Sequence, residues 1–405
     1  MTSDIPTFPI PRAHPFQPPE LNAKLLRENP TTEVRLFDGS KAWLITKHKD
    51  ICEALDDPAL SADRRAPGYP EIHAGGAKAK EAIPTFVNID EPDHSRQRSM
   101  LDDAFDRPAV DKMRPMMQAV VDKVLNQMVR KYNDNGKQPI DLIEEFASPV
   151  PTQIIYNLLG IPQKDVERLS KDSDVRTGTS RDAAERANEK LNEYIGGLVE
   201  ERVKEPKDDL VSKLVKEQYN KGNLSRDEVV TLSFLVLTAG NAALTNSIGM
   251  GVMTLLDHPD QLDEFKEDSH TLAPQVVNEL LRFNTASALN SRRATKEDVE
   301  IGGKRITKGS GVICAVQAGD RDPDKTPHPD KFDIHRKYAK EDLLAFGYGP
   351  HRCQAEYLSR VQLEIAFTSL LKKLPNLKMA TRVEDLEHTP ATQNMGPLNL
   401  PVTLD

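Results

Sequence analysis

The chain has 405 residues, with 54 Lys and Arg against 63 Asp and Glu, giving a formal net charge of -9. That acidity, with a pI near 5.7, excludes a general nucleic-acid binder, which needs a basic face. Three cysteines exclude a disulfide framework and point to a reducing compartment.

The first twenty residues are proline-rich and should lie extended on the surface. They lack the apolar core of a signal peptide. A cytoplasmic protein is expected, or a mitochondrial form if a targeting peptide has been removed. VRLF and KAWLIT around Asp38-Gly39 then predict a β-hairpin. From about Pro92 to Pro274 apolar residues recur at three- and four-residue spacing, predicting helices over 107–132, 140–160, 180–204 and 225–257. Asn133-Asp134-Asn135-Gly136 breaks two of them apart. Between 291 and 318, VEI and KRIT flank Gly302-Gly303 as a second hairpin, and SGVICAV reads as a buried strand. A last helix over 354–373 stops at Pro375. The expectation is a mainly α fold with small β-sheets, one domain over 1–405, and a monomer.

The segment 225–257 is the most informative element. Ser225 and Glu228 form an S-x-x-E capping box, and Asp257 with Pro259 marks the far end. Its most apolar run, Val229 to Ala243, is too short and too polar to cross a bilayer. At about 1.5 Å per residue the helix spans almost a whole domain, and its middle is apolar all round. That middle contains Ala239-Gly240-Asn241-Ala242-Ala243. Such small residues serve either close helix packing or space for a flat prosthetic group.

Near the C-terminus the chain reads Phe346-Gly347-Tyr348-Gly349-Pro350-His351-Arg352-Cys353, directly before the last helix. A rigid turn at a helix start can aim backbone N–H groups and the helix dipole at one sulfur, stabilising a thiolate that suits a metal. No second Cys or His stands at zinc-ligand spacing. Cys52 and Cys314 read as small core residues.

This octet resembles the haem-binding signature of the cytochrome P-450 superfamily, Phe-Gly-x-Gly-x-His-x-Cys. The resemblance implies haem b seated between the long distal helix and the proximal loop, with Phe346 and Gly349 framing the group and Cys353 as the axial iron ligand. It also implies a structural ion network of Glu279, Arg282 and Arg336. His94, Arg98, Arg293 and His351 fall where the superfamily holds the two haem propionates.

Oxygen-activating members carry an acid followed by a threonine in the distal helix, and Ala242-Ala243 supplies neither. Within the superfamily the chain is most similar to the fungal nitric oxide reductases. They share the stretches LFDGS, AWL and TKHKD before residue 51, and QRSM, EPKDD, AGNA, HPDQL and TASAL further on. This implies conversion of two NO, NAD(P)H and a proton to N2O, NAD(P)+ and water. The hydride would pass directly from the nicotinamide to nitrosyl-bound haem, with no separate electron-transfer protein. Gly249-Met250-Gly251 lacks the third glycine of a dinucleotide fingerprint. The nucleotide phosphates should therefore meet cations at the pocket mouth, where the resemblance places Arg64, Arg65, Arg176 and Arg292.

The chain also departs from those reductases. Ala243 replaces a threonine, Asn394 a carboxylate and Ala62 a basic residue. Ser287 is retained, and with Asn241 or water it is the candidate proton donor. His73 and Gly75 lie in the loop expected over the adenosine end, where Gly75 leaves room for the 2′-phosphate of NADPH. Two alternatives remain open: a soluble monooxygenase using O2 and an external redox partner, and a non-enzymatic haem-thiolate NO binder.

Overall fold

The structure is a computed structural model that describes residues 5–12, 17–73, 80–166, 168–169, 181–287, 289, 291–339 and 342–405, with only the backbone described for 181–184. Arg176 and Gly75 lie outside the described residues. The fold is mainly helical with three small sheets. The predicted hairpin forms from Thr31–Arg35 and Lys41–Ile45, starting three residues earlier than the VRLF pattern suggests. It belongs to a five-stranded sheet ordered Thr31–Arg35, Lys41–Ile45, Gly311–Cys314, Arg292–Thr295, Leu60–Ser61. The N-terminal strap packs on this sheet: Phe8 donates its N–H to Arg35 O at 2.8 Å, and Phe8 and Ile10 are buried.

Helices run over Arg107–Asp134, Pro149–Leu159, Arg181–Lys204, Ser269–Asn284 and Glu356–Lys373. Local signals place most boundaries. Gly136 takes φ 73° after the first of these helices, and Gly302 and Gly303, at φ 56° and 72°, make the hairpin turn between Val299–Ile301 and Lys304–Ile306. The 140–160 stretch is not one helix. Ile140–Asp141 pairs with Pro401–Thr403, a π turn covers Ile143–Ala147, and the α-helix starts only at Pro149. Proline lacks the N–H an interior position needs but tolerates the first turn.

The 225–257 element is also divided, into Arg226–Ala239 and Asn241–Leu256, with Gly240 between them. The capping box is present in both directions: Glu228 N–H donates to Ser225 Oγ at 3.2 Å, and Ser225 N–H to Glu228 Oε2 at 2.7 Å. By length and composition Arg226–Leu256 is apolar enough to cross a membrane. Here, helices from both halves of the chain pack around it.

Its small residues divide between two jobs. A Cβ on Gly251 would lie 2.4 Å from Phe367 Cζ, and one on Gly249 2.6 Å from Ile143 Cδ1, so these glycines serve close packing. Ala239 and Gly240 instead are exposed, although their helix crosses the core.

Glu279 is fully buried and receives Arg282 at 2.8 and 2.9 Å, Tyr338 Oη at 2.6 Å and the Asp333 N–H at 2.9 Å, with Arg336 Nε at 3.5 Å. Removing one partner of such a buried pair costs about 3–5 kcal/mol. Glu279→Gln is therefore expected to destabilise the fold by that order, read as a lower denaturant midpoint with reduced haem retention.

Candidate functional site

Four basic side chains converge beside the Cys353 loop. His94 and Arg98 come from the short helix Asp93–Ser99, Arg293 from strand Arg292–Thr295, and His351 from the loop itself. The His94 and His351 rings are 4.2 Å apart. His94 Nδ1 meets Glu91 Oε1 at 2.9 Å, which leaves Nε2 buried with no hydrogen-bond partner among the described residues, and His351 Nδ1 is in the same state. Arg293 is buried, and its Nη1 donates to Arg292 O at 2.9 Å. Arg98 donates to Arg352 O at 2.8 Å. Among the described residues neither arginine has a carboxylate partner.

The electrostatics follow. Burial lowers the Arg293 and Arg98 pKa values from their usual range. Burial first, then the charges of Arg293, His94 and Arg98, push His351 down to about 3. Arg293 and Arg98 are thus desolvated cations without a carboxylate partner among the described residues, which is unfavourable by itself, and His351 beside them is held neutral. Two carboxylates would satisfy both arginines.

The loop is shaped by its glycines. Gly347 and Gly349 take φ 74° and 68°, which L side chains rarely adopt. A Cβ on Gly349 would also meet Leu55 O at 2.7 Å, so the loop lies directly against the helix His48–Asp56. Phe346 packs against the core with Arg360 stacked over its ring at 5.0 Å. Arg352 braces the loop from within, donating to Gly347 O at 2.9 Å and pairing with Glu356 at 2.7 Å.

Cys353 is exposed, yet burial is the leading influence on its thiol and pushes the pKa up. Both are true of a sulfur at the bottom of an opening surrounded by protein. The backbone N–H of Ala355 opposes the burial, as do the charges of Arg98 and Arg352. The loop alone does not hold a thiolate; a coordinating metal would, because it takes the proton's place. The accessible sulfur, the exposed Ala239-Gly240 backbone and the anion-deficient cations fit a haem with two propionates and a thiolate ligand.

The predicted rim residues separate. Arg64 forms a two-pronged pair with Glu71, at 2.7 and 3.2 Å, and Arg292 Nη1 approaches the same carboxylate at 3.4 Å and Pro70 O at 3.2 Å. Arg65 is exposed and bound to Asp63 at 2.6 Å. Arg292 and Arg293 are strand neighbours, so their side chains leave opposite faces of the sheet. Ala62 is buried, and its N–H donates to Asp90 Oδ1 at 2.9 Å.

On the distal side, Asn241 is buried and its Nδ2 has no hydrogen-bond partner among the described residues. Ala243 O accepts from Ser247 Oγ at 2.8 Å. Asn394 O accepts from Asn246 Nδ2 at 3.0 Å and Thr389 Oγ1 at 2.7 Å, and Met395 N–H donates to Ala286 O at 2.9 Å. The C-terminal loop is thus pinned beside half-buried Ser287. Glu71 escaped the sequence reading, since nothing in its spacing links it to Arg292.

The family profile described as Cytochrome P450 matches residues 169–399. Cytochrome P450 55A3 of Fusarium lichenicola is 44% identical over 405 residues, covering 99% of this chain and 98% of its own. Vitamin D3 dihydroxylase of Streptomyces griseolus is 35% identical over 405 residues, covering 99% and 98%. The crystal structure of GfsF, a cytochrome P450 of Streptomyces halstedii, superposes with a TM-score of 0.92 at 34% identity, covering 98% of this chain and 100% of that one.

Each charge-assisted bond from the cluster to a carboxylate is worth roughly 1.5–3 kcal/mol. Arg293→Leu is therefore expected to speed haem loss roughly ten- to a hundredfold, measured by transfer to an excess of an acceptor globin.

Proposed function

Because this chain belongs to the cytochrome P450 family, we propose that it is a nitric oxide reductase, converting two NO, NAD(P)H and a proton to N2O, NAD(P)+ and water. As a family member it is an oxidoreductase that binds haem b through Cys353. When bound, the haem would supply the redox chemistry, and the Cys353 thiolate that holds it would donate electron density to the iron.

The observation that carries the reading is the chemistry of the distal helix at the pocket. Ala242 and Ala243 offer methyl groups, Asn241 an amide, and the Thr238 hydroxyl is turned back onto Phe234 O at 2.8 Å. An amide does not ionise, so this stretch has no acid to relay protons for splitting dioxygen. The similarity to cytochrome P450 55A3 over the full chain supports the same assignment.

Arg64 and Arg292 share one carboxylate, leaving about one net positive charge at the rim. An entering pyrophosphate would compete with Glu71 for both guanidinium groups, whose planar forks suit phosphate. Ser287, beside the pinned C-terminal loop, is the hydroxyl assigned to pass a proton. Asn394 offers its carbonyl to that pinning and has no acidic proton of its own.

A second reading, a monooxygenase fed by an external redox partner, draws on the full-length similarity to GfsF and to a relative named for dihydroxylation. Anaerobic mixing with NO and either nucleotide, with no redox partner present, separates the two. The reductase reading expects NO-dependent nucleotide oxidation, and Arg64→Glu is expected to raise the nucleotide KM at least roughly tenfold. Oxidation of neither nucleotide under NO would discard it.

A further inference from the structure

Asp320 follows the helical turn Val316–Gly319 and is 2% exposed. Its Oδ1 accepts the Leu344 N–H at 2.8 Å, and its Oδ2 accepts the Thr285 hydroxyl at 3.0 Å. These two donors belong to segments far apart in sequence. Leu344 opens the one-turn helix Leu344–Phe346, whose Phe346 O accepts the Cys353 N–H at 2.9 Å. Thr285 caps the helix Ser269–Asn284 and lies two residues before Ser287. Its φ of 40° is costly for a β-branched residue, so something must hold it there. The hydroxyl also reaches Arg282 O at 2.9 Å, and Asp320 O accepts from Arg282 Nη1 at 3.2 Å.

We propose that Asp320 is a positioning residue whose carboxylate clamps the segment leading to Ser287 and the segment leading to Cys353 in one register, so that its protonation alters the seating of the haem. The inference rests on the family's Cys353-bound haem and is independent of which reaction the enzyme performs.

The charged surroundings are defined. On its own segment, Arg321 pairs with Asp330 at 2.8 Å, and Asp322 accepts the His48 N–H at 3.0 Å. On the helix Ser269–Asn284, Arg282 is neutralised by Glu279, which also takes Tyr338 and Arg336. On the helix His48–Asp56, burial lowers His48 and lifts the Cys52 thiol to about 11. The turn Leu344–Phe346 brings no ionisable group.

Burial outweighs both hydrogen bonds and both arginines and raises the Asp320 carboxyl from 3.8 to about 7. A raised carboxyl means the folded state holds its proton more tightly than the unfolded chain. The resulting stabilisation is complete below the unfolded value and is lost as pH rises through about 7. Geometry says which bond responds. A backbone N–H only donates, so a protonated Asp320 keeps Leu344 and can donate only toward Thr285 Oγ1, whose own hydrogen then goes to Arg282 O.

The test is a pH titration through neutrality of the Soret spectrum of ferric holoprotein, with thermal melts alongside. Wild type is expected to show a reversible transition near neutrality. Asp320→Asn should retain haem, since its amide can serve both legs, but lose the transition; its melting temperature should gain on wild type as pH rises. Thr285→Val removes a bond that favours the ionised form, so its midpoint should move upward. A wild-type spectrum flat through neutrality overturns the proposal, as does an Asp320→Asn variant that titrates like wild type. If Asp320→Asn does not fold, a Thr285→Val midpoint that is unmoved or lowered overturns it.

Discussion

Buried positive charge seeking an anion is the constraint around which this molecule is arranged. Arg293 is buried and Arg98 half-buried, neither with a carboxylate partner among the described residues, and His94 and His351 from two further positions of the chain crowd against them. Burying such groups unpaired costs far more than a surface ion pair returns, so the arrangement is reasonable only as half of a binding site. The rest of the pocket agrees with it. Glycines bend the proximal loop to expose one sulfur, and the distal helix bares its backbone at Ala239 and Gly240. The Glu279 network fixes the segment before that loop.

Features encoded within a few residues were legible beforehand. The Ser225–Glu228 box, the Asn133–Gly136 stop, the Gly302-Gly303 turn and the Cys353 octet each carry their reason in adjacent side chains. The interruption at Gly240 was not, because the apolar period passes through it unchanged and only the neighbouring open space reveals its use. The π turn at Ile143–Ala147 was hidden for the same reason: a helical pattern does not distinguish one hydrogen-bond register from another.

Long-range charge pairing was the other unreadable level. Arg64 and Arg65 are equivalent in a string of letters, yet one faces Glu71 and the other Asp63. Glu71 lies 221 residues from Arg292, and Asp320 looks like an ordinary turn residue until Leu344 and Thr285 are brought to it. Cys353 shows a limit of a different kind. The motif singles out the cysteine, but the balance between burial and donors on its sulfur depends on packing that no motif contains.

The strand Arg292–Thr295 places two arginines back to back, with Arg292 opposite Ile313 and Arg293 opposite Val312. A shift of pairing by one position would exchange their sides, turning each guanidinium to the face the other now occupies. The group Arg64–Glu71–Arg292 and the cluster around Arg293 are thus set by one ladder of hydrogen bonds. Neighbouring loops can lengthen or shorten only where that ladder keeps its parity, which makes this short interior strand, paired on both sides, a frame for both clusters.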